Sequence, residues 1–442
     1  MLNYVKINKS IVPFNKTIKV PGDKSISIRA ILFNSQAIGK SKIYNLLESD
    51  DVKYTILSMK KLGVSIIKRK DYHEIYGVGL YGFLKKKKIK IYAGNSGTLA
   101  RLLCGMLSNV NSEIYLSGDQ SLSKRDFSRI IEPLKLFGVR FFGNGKTLPL
   151  KIKGSSYLRP INYSEIKGSA QVKSAIMLAS IRTDGLTTIK AIPSRNHTEL
   201  MFKNCLKIPL SVKKQRKFEI IRIKGKRNFN TFDYIVPGDI SSASFFIILT
   251  LLAKKSKLLI KNVNINPSRI GIIEILKKMK VKIILKNKRK YKGENIADIF
   301  VQSAKSIKSI NCPKKLNTKS IDEFLVIFLL CAKANGISKF NGIDELRHKE
   351  SDRLKIASNF LKMIGVKVEE RLGSLKIYGN PKLKLNGKYH VKNFQKDHRV
   401  FMMTCIAALT LGGKFKIDDK NSVNSSFPGF IGILRKLGAE IR

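Results

Sequence analysis

One local pattern recurs along this chain and restricts the folds open to it: the end of an apolar-periodic helix, a tight reversal, then a short alternating strand. It stands at 59–66, 134–141, 361–368 and 434–441, with Gly63, Gly138, Gly365 and Gly438 at the reversal. A glycine there fits the position just past a helix end, where a left-handed backbone closes the last turn. The apolar residues that follow alternate with polar ones, the period of a half-buried strand. A fifth copy, 276–283, lacks the glycine, and 204–212 is a degenerate sixth. Copies stand roughly 70–85 residues apart, longer than solenoid repeats, so each predicts a small α/β subdomain. Helix–glycine–strand is common in α/β proteins, yet six occurrences at similar spacing argue for a true repeat.

Three copies precede residue 236 and three follow it. Near that point Val236-Pro237-Gly238-Asp239-Ile240-Ser241 echoes Val20-Pro21-Gly22-Asp23-Lys24-Ser25. Paired turns that bracket the first three repeats predict two hinge crossovers, near 20–24 and 236–241. One domain would be 22–237, and 1–21 with 238–442 the other, each holding three β/α repeats. A length of 442 residues exceeds one ordinary core, which agrees with two domains. A cleft between two such domains is the expected small-molecule site.

Charge is the misleading feature. Lys and Arg number 85 against 31 acids, a formal net charge of +54. The lysines run along the whole chain among Ile and Asn, and the concentrations at 85–88 and 277–292 lack regular aromatic interleaving. Lys, Ile and Asn all use AT-rich codons, so genome bias accounts for the excess, and charge alone speaks to solubility and non-specific binding. Solvated faces are expected, with no specific nucleic-acid site. No apolar run is long enough to span a membrane. The first nine residues have neither signal-peptide nor transit-peptide character, so a cytoplasmic location is expected. Five scattered cysteines (104, 205, 312, 331 and 405) argue for a reducing compartment and against a disulfide or zinc framework.

Two short stretches carry chemistry: Pro21-Gly22-Asp23-Lys24-Ser25-Ile26-Ser27-Ile28-Arg29 and Gly94-Asn95-Ser96-Gly97-Thr98-Leu99-Ala100-Arg101. Each sets cations, hydroxyls and glycine a few residues apart, the components of a phosphate or carboxylate site. A helix starting after the turn adds a favourable field for an anion. Similar constellations follow at Ser123-Lys124-Arg125, Lys167-Gly168-Ser169-Ala170-Gln171, Asp322-Glu323, Lys349-Glu350-Ser351-Asp352-Arg353 and Asp397-His398-Arg399. Taken singly, each also fits helix capping with surface charge. Together they gather basic and small polar groups at helix starts in both predicted domains.

These ordered motifs, from Pro21 to Ser426-Phe427-Pro428, resemble the 5-enolpyruvylshikimate-3-phosphate synthase family over nearly the whole chain. The Ser-Ala-Gln, Arg195-Asn196-His197-Thr198-Glu199 and Asp-Glu forms resemble its class II bacterial branch. The resemblance implies an α/β protein with the two-domain enolpyruvyl transferase fold, an inside-out α/β barrel with three βαβαββ units per domain. It implies a transferase of the shikimate pathway to chorismate and the aromatic amino acids. Such an enzyme moves the enolpyruvyl group of phosphoenolpyruvate to the 5-hydroxyl of shikimate 3-phosphate and releases phosphate. No metal or organic cofactor is expected, and a monomer is.

Site residues implied by the resemblance fall on matching motifs. Lys24 would bridge the two polyanionic substrates. Ser25, Ser169 and the backbone of Ala170 would hold the shikimate phosphate, Arg29 the ring carboxylate and Gln171 the ring, with Arg195 a further cation. Arg125, Arg353 and Arg399 would clamp phosphoenolpyruvate in the bidentate geometry that Lys lacks, with Asn95, Gly97, Lys24 and Gln171 also facing it. Asp322 is the candidate base on the 5-hydroxyl, and Glu350 the candidate for proton exchange at the methylene carbon, with Lys349 near the reacting oxygens. The split of proton transfers among Asp322, Glu350 and Lys24 is left open by the sequence.

The chain departs from the family pattern in three places. Asp126 stands where Pro is common, Ser96 replaces a common Ala, and near Ser425 many relatives carry a phosphoenolpyruvate-binding Lys. Two other readings remain open here. The related UDP-N-acetylglucosamine enolpyruvyl transferases carry a Cys in a loop that corresponds to 119–125, which has none. A non-catalytic polyanion-binding protein would have no use for Asp322, Glu350 and a full set of arginines.

Overall fold

The computed structural model describes residues 3–84, 86–143, 145–225 and 228–442. Met1 and Leu2 of the terminal stretch and Lys85 of the lysine run lie outside the described residues. The chain forms two compact units: Gly22–Val236 with Lys292–Glu294, and the residues up to Pro21 with Pro237–Tyr291 and Asn295–Arg442.

The first unit holds three four-stranded sheets of one design. Ile38–Tyr44, Glu113–Ser117 and Leu186–Ala191 each have a parallel neighbour on one side and an antiparallel one on the other. A second antiparallel strand completes each sheet: Ser65–Lys68, Arg140–Phe142 and Leu210–Gln215. The other unit repeats the plan. Lys257–Asn264 lies parallel to Asn15–Lys19 and antiparallel to Glu294–Gln302. Gly412–Asp418 lies parallel to Leu385–Val391 and antiparallel to Tyr4–Ile7. Gly336–Asn341 pairs with Ser374–Gly379, and among the described residues isolated parallel bridges at Lys308 and Asn311 stand where the other sheets have a parallel strand.

Five of the six sequence repeats place a left-handed residue directly after the helix cap, and the degenerate copy places one two residues after it. Gly63, Gly138, Gly365 and Gly438 have φ of 92°, 103°, 80° and 99°. In the copies without glycine, Lys280 (φ 61°) and Lys207 (φ 53°) take the same region. The bond that closes the turn, six residues to one, recurs as Val64 N–H to Met59 O, Val139 to Leu134, Val281 to Leu276, Val366 to Leu361 and Ala439 to Leu434.

Each unit has three helices buried on nearly all sides: Lys24–Ser35, Gly97–Met106 and Ala170–Ser180 in one, Ile240–Leu252, Phe324–Ala332 and His398–Leu411 in the other. Such a helix must satisfy its polar side chains without water. Asn34, Ser35, Ser174, Thr250 and Thr404 each donate to the carbonyl four residues back. Partial exposure returns at the helix starts, where Lys24, Ser25, Thr98, Ala170, Gln171 and Asp322 lie. In the second unit Phe324 and Phe328 stack at 5.5 Å and meet Phe340 at 5.7 and 4.9 Å, which locks the helix behind Asp322 to its following strand.

Candidate active site

In the Gly22–Val236 unit, four helix starts carry the predicted anion-binding residues. Asp23 caps the Lys24–Ser35 helix, accepting from Ile26 N–H at 2.9 Å, and fixes the turn that presents Lys24 and Ser25. Lys24 Nζ lies 3.0 Å from the buried Asp51 carboxylate. Arg29, only 3 % exposed, donates to Thr198 Oγ1 (2.8 Å), Ser174 Oγ (3.0 Å) and the Ser25 carbonyl (3.1 Å). These acceptors are neutral, so they orient the guanidinium without cancelling its charge.

Ser96 caps the Gly97–Met106 helix through Leu99 N–H. A Cβ placed on Gly97 would lie 3.0 Å from Arg101 Nη1 and 3.1 Å from Arg125 Nη1, so the glycine faces two guanidinium groups. Arg125 donates to Asn95 Oδ1, and Asn95 Nδ2 donates to Asp119 at 2.8 Å. Asp119 in turn caps the Gln120–Ser123 turn that leads to Arg125. Arg101 donates to Gln171 Oε1 at 2.7 Å, and Gln171 Nε2 donates to Thr98 Oγ1 at 3.0 Å. The predicted residues Asn95, Gly97, Arg125 and Gln171 are therefore joined through Arg101 and Thr98.

Ser169 caps the Ala170–Ser180 helix, accepting from Val172 N–H at 3.4 Å. Its own N–H and that of Lys167 donate to Glu165, across a left-handed Gly168 (φ 69°). Burial pushes the Glu165 carboxyl up, opposed by these backbone bonds. Arg195 is half-buried in the turn before the His197–Asn204 helix.

In the other unit a single guanidinium organises the predicted acids. Arg353, 1 % exposed, starts the Arg353–Met363 helix. It donates to Asp397 through Nε (2.8 Å) and Nη2 (3.2 Å), to Glu350 Oε2 (2.6 Å) and to Asp322 Oδ1 (3.4 Å). Burial alone would lower its proton affinity, but Asp397, Glu350 and Asp322 raise it above the ordinary arginine value. Burial likewise pushes the Asp397 carboxyl up, and Arg353 overrides this and holds it below the usual carboxylate range. Asp397 caps the His398–Leu411 helix through Arg399 N–H, and Arg399 Nη1 donates to the Asp322 carbonyl at 2.8 Å. Asp322, Glu350, Arg353 and Arg399 thus meet in one cluster. Lys349 precedes Glu350 between the Asp344–His348 turn and this helix. Ser425 Oγ lies 3.2 Å from His398 Nδ1.

Sequence reasoning assigned no role to Asp51, Thr98, Arg101, Asp119, Glu165 or Asp397. Thr98, Arg101 and Asp397 lie inside the motifs named above; the others carry no local signal. Asp126 uses its carboxylate to accept Ser128 N–H at 2.8 Å, opening the Ser128–Leu136 helix. Burial pushes the thiols of Cys104, Cys205 and Cys331 up to about 12, so these are not thiolate nucleophiles. Among the described residues no cluster of three or more His, Cys, Asp or Glu could hold a metal, and no helix is long and apolar enough to cross a membrane.

The fold has solved counterparts. The enolpyruvyl transferase NikO from Streptomyces tendae matches 99 % of this chain with a TM-score of 0.77 at 13 % identity, a likeness of fold alone. Two units of repeated α/β design, with cations and acids at buried helix starts, define an enolpyruvyl transferase architecture. EPSP synthase from Acinetobacter baumannii is nearer, with a TM-score of 0.87 and 34 % identity over 99 % of both chains. The 3-phosphoshikimate 1-carboxyvinyltransferases of Ruthia magnifica and Bartonella quintana are 40 % and 41 % identical across 96 % of this chain and 95 % and 96 % of their own. The family model for EPSP synthase, 3-phosphoshikimate 1-carboxyvinyltransferase, matches residues 9–434. The chain belongs to the EPSP synthase family.

Proposed function

We propose that this chain transfers the enolpyruvyl group of phosphoenolpyruvate to the 5-hydroxyl of shikimate 3-phosphate, on the path to chorismate and the aromatic amino acids. In the addition step the hydroxyl oxygen bonds to C2 of phosphoenolpyruvate, the hydroxyl proton goes to a base, and C3 gains a proton. In the elimination step the C2–O bond to phosphate breaks, C3 gives up a proton and the double bond returns. The observation that carries the reading is that both acids suited to this proton work, Asp322 and Glu350, share the buried Arg353 in a chain of this family.

Asp322 takes the hydroxyl proton and Glu350 exchanges the proton at C3, with Lys349 beside the reacting oxygens. Lys24 contacts both substrates. Ser25, Ser169 and the Ala170 N–H hold the shikimate phosphate; Ser169 Oγ spends a lone pair on its cap, which leaves its hydrogen to donate. Arg29 takes the ring carboxylate, Gln171 the ring, and Arg195 adds charge on that side. Asn95, Gly97, Arg125, Arg353 and Arg399 serve phosphoenolpyruvate. Preset cations of this kind stabilise charge that develops in the intermediate. The chain acts as a cytoplasmic monomer with no metal or organic cofactor.

The test is phosphate release from phosphoenolpyruvate with and without shikimate 3-phosphate, before and after dialysis against a chelator. Release that depends on shikimate 3-phosphate and survives dialysis is expected. Release that requires UDP-N-acetylglucosamine, or none at all, overturns the reading.

A further inference from the structure

Lys173 is fully buried and its ammonium lies 2.5 Å from Glu199, which is 6 % exposed. Neither group forms an aligned hydrogen bond among the described residues, so the contact is a desolvated charge pair. Such a pair is a poor source of stability, because desolvation offsets the attraction and apolar side chains of similar volume do as well. One position after Lys173 and one position before Glu199, Ser174 Oγ and Thr198 Oγ1 lie 2.7 Å apart. Two consecutive rungs therefore tie the first turns of the Ala170–Ser180 and His197–Asn204 helices. The second rung supplies two acceptors that hold Arg29: Thr198 on Nε and Ser174 on Nη2.

We propose that Lys173 and Glu199 are a positioning pair for Arg29, fixing the spacing of the two helix starts so that Ser174 and Thr198 aim its guanidinium at the substrate. The proposal rests on the reading of Arg29 as the shikimate-side cation. The rung of opposite charges sets the axial register of the two helices, because sliding either by one residue separates the charges without water to receive them. The hydroxyl rung then meets Arg29 at one angle only. A guanidinium recognises a carboxylate by two parallel N–H bonds, so a tilt costs affinity even though the charge is unchanged.

The experiment compares Lys173→Met/Glu199→Met with Arg29→Met and with all three changes together, reading KM for each substrate, kcat and the unfolding midpoint. Expected is a midpoint near that of the parent for the pair variant, with KM for shikimate 3-phosphate raised on the order of tenfold, within the ~10²-fold that a small misplacement can cost. KM for phosphoenolpyruvate should stay unchanged. On the Arg29→Met background the pair change should add nothing further, since it acts through a group no longer there. A pair variant with the parent KM for shikimate 3-phosphate overturns the proposal, as does an undiminished effect on the Arg29→Met background. An Arg29→Met enzyme with unchanged shikimate 3-phosphate affinity overturns the reading of Arg29 and the proposal with it. If the pair variant fails to fold, Thr198→Val tests the hydroxyl rung directly: the same selective rise in KM supports the proposal, and its absence overturns it.

Discussion

Asp397 grips Arg353 with both carboxylate oxygens, and the oxygen that receives Nη2 also caps the helix that carries Arg399. One buried acid thereby sets two of the three arginines expected to serve phosphoenolpyruvate. Its Oδ2 also accepts Ser351 Oγ at 2.9 Å, next to Glu350. Nη2 of Arg353 is shared between Asp397 and Glu350, and Nη1 goes to Asp322.

Asp397→Asn keeps the shape and strips a buried cation of its main counter-charge. Removing one partner of such a pair costs about 3–5 kcal/mol of stability. Urea unfolding at neutral pH measures it, and a loss below about 1 kcal/mol would show that Glu350 and Asp322 suffice to compensate Arg353. The pH dependence has a definite sign. The Asp397 pKa is depressed in the fold, so its contribution is present above the unfolded value of about 3.9 and is lost as pH falls through the lower folded value. The variant should lack this part of the acid transition.

Asp322→Asn should remove most turnover and leave shikimate 3-phosphate binding in place. Loss of a general base costs roughly 10²–10⁴ in rate. Asn retains an oxygen for the 3.4 Å contact with Arg353, and the carbonyl that receives Arg399 belongs to the backbone, so local geometry survives. Turnover near the parent value, alongside unchanged calorimetric binding, would assign the proton to another group.

The repeat was legible because a helix end and an alternating strand are local patterns, and four of six copies carry glycine at the left-handed residue. Lys280 and Lys207 hid the other two: nothing in a lysine codes for positive φ, and only the closing bonds and packing impose it there. Helix starts were legible for the same local reason, since Asp23, Ser169, Asp352 and Asp397 are capping types. What held the site together was not. Arg353 and Asp397 are 44 residues apart, Arg101 and Gln171 are 70, and Arg29 and Thr198 are 169. Such pairings are set by how sheets bring helix starts together, which no spacing in one sequence reports.

Left-handed reversals give a stability test. Gly63→Ala must hold φ 92°, and its Cβ would sit 3.2 Å from Leu84 Cβ. Expected is a loss of about 1–2 kcal/mol, the cost of a left-handed backbone for a residue with a Cβ. Lys280→Gly relieves the corresponding strain, partly offset by the greater freedom glycine gains in the unfolded chain, and should stabilise by a few tenths of a kcal/mol up to about 1. Thermal unfolding of both variants checks the pair. Equal and opposite signs are not required, but a destabilising Lys280→Gly contradicts the equivalence of the two reversals.

Glyphosate, the known inhibitor of this family, should compete with phosphoenolpyruvate here, and Gly97→Ala should weaken it selectively. Glyphosate shares the anionic ends of phosphoenolpyruvate but is longer, so spare room matters more to it. The new methyl would lie 3.0 Å from Arg101 Nη1 and 3.1 Å from Arg125 Nη1. Those atoms end flexible side chains, so the variant folds, but both guanidinium groups must yield by a few tenths of an ångström. Arg101 is tied to Gln171 and Arg125 to Asn95, which limits how far either can go. One methylene in a tight pocket is worth about 1–3 kcal/mol, or roughly 10- to 200-fold in binding. The shorter substrate should lose less, so the ratio of the inhibition constant to KM for phosphoenolpyruvate should rise. Inhibition constants for both forms, measured against varied phosphoenolpyruvate, give that ratio; if it does not change, Gly97 lies away from the pocket and its place in the site assignment falls.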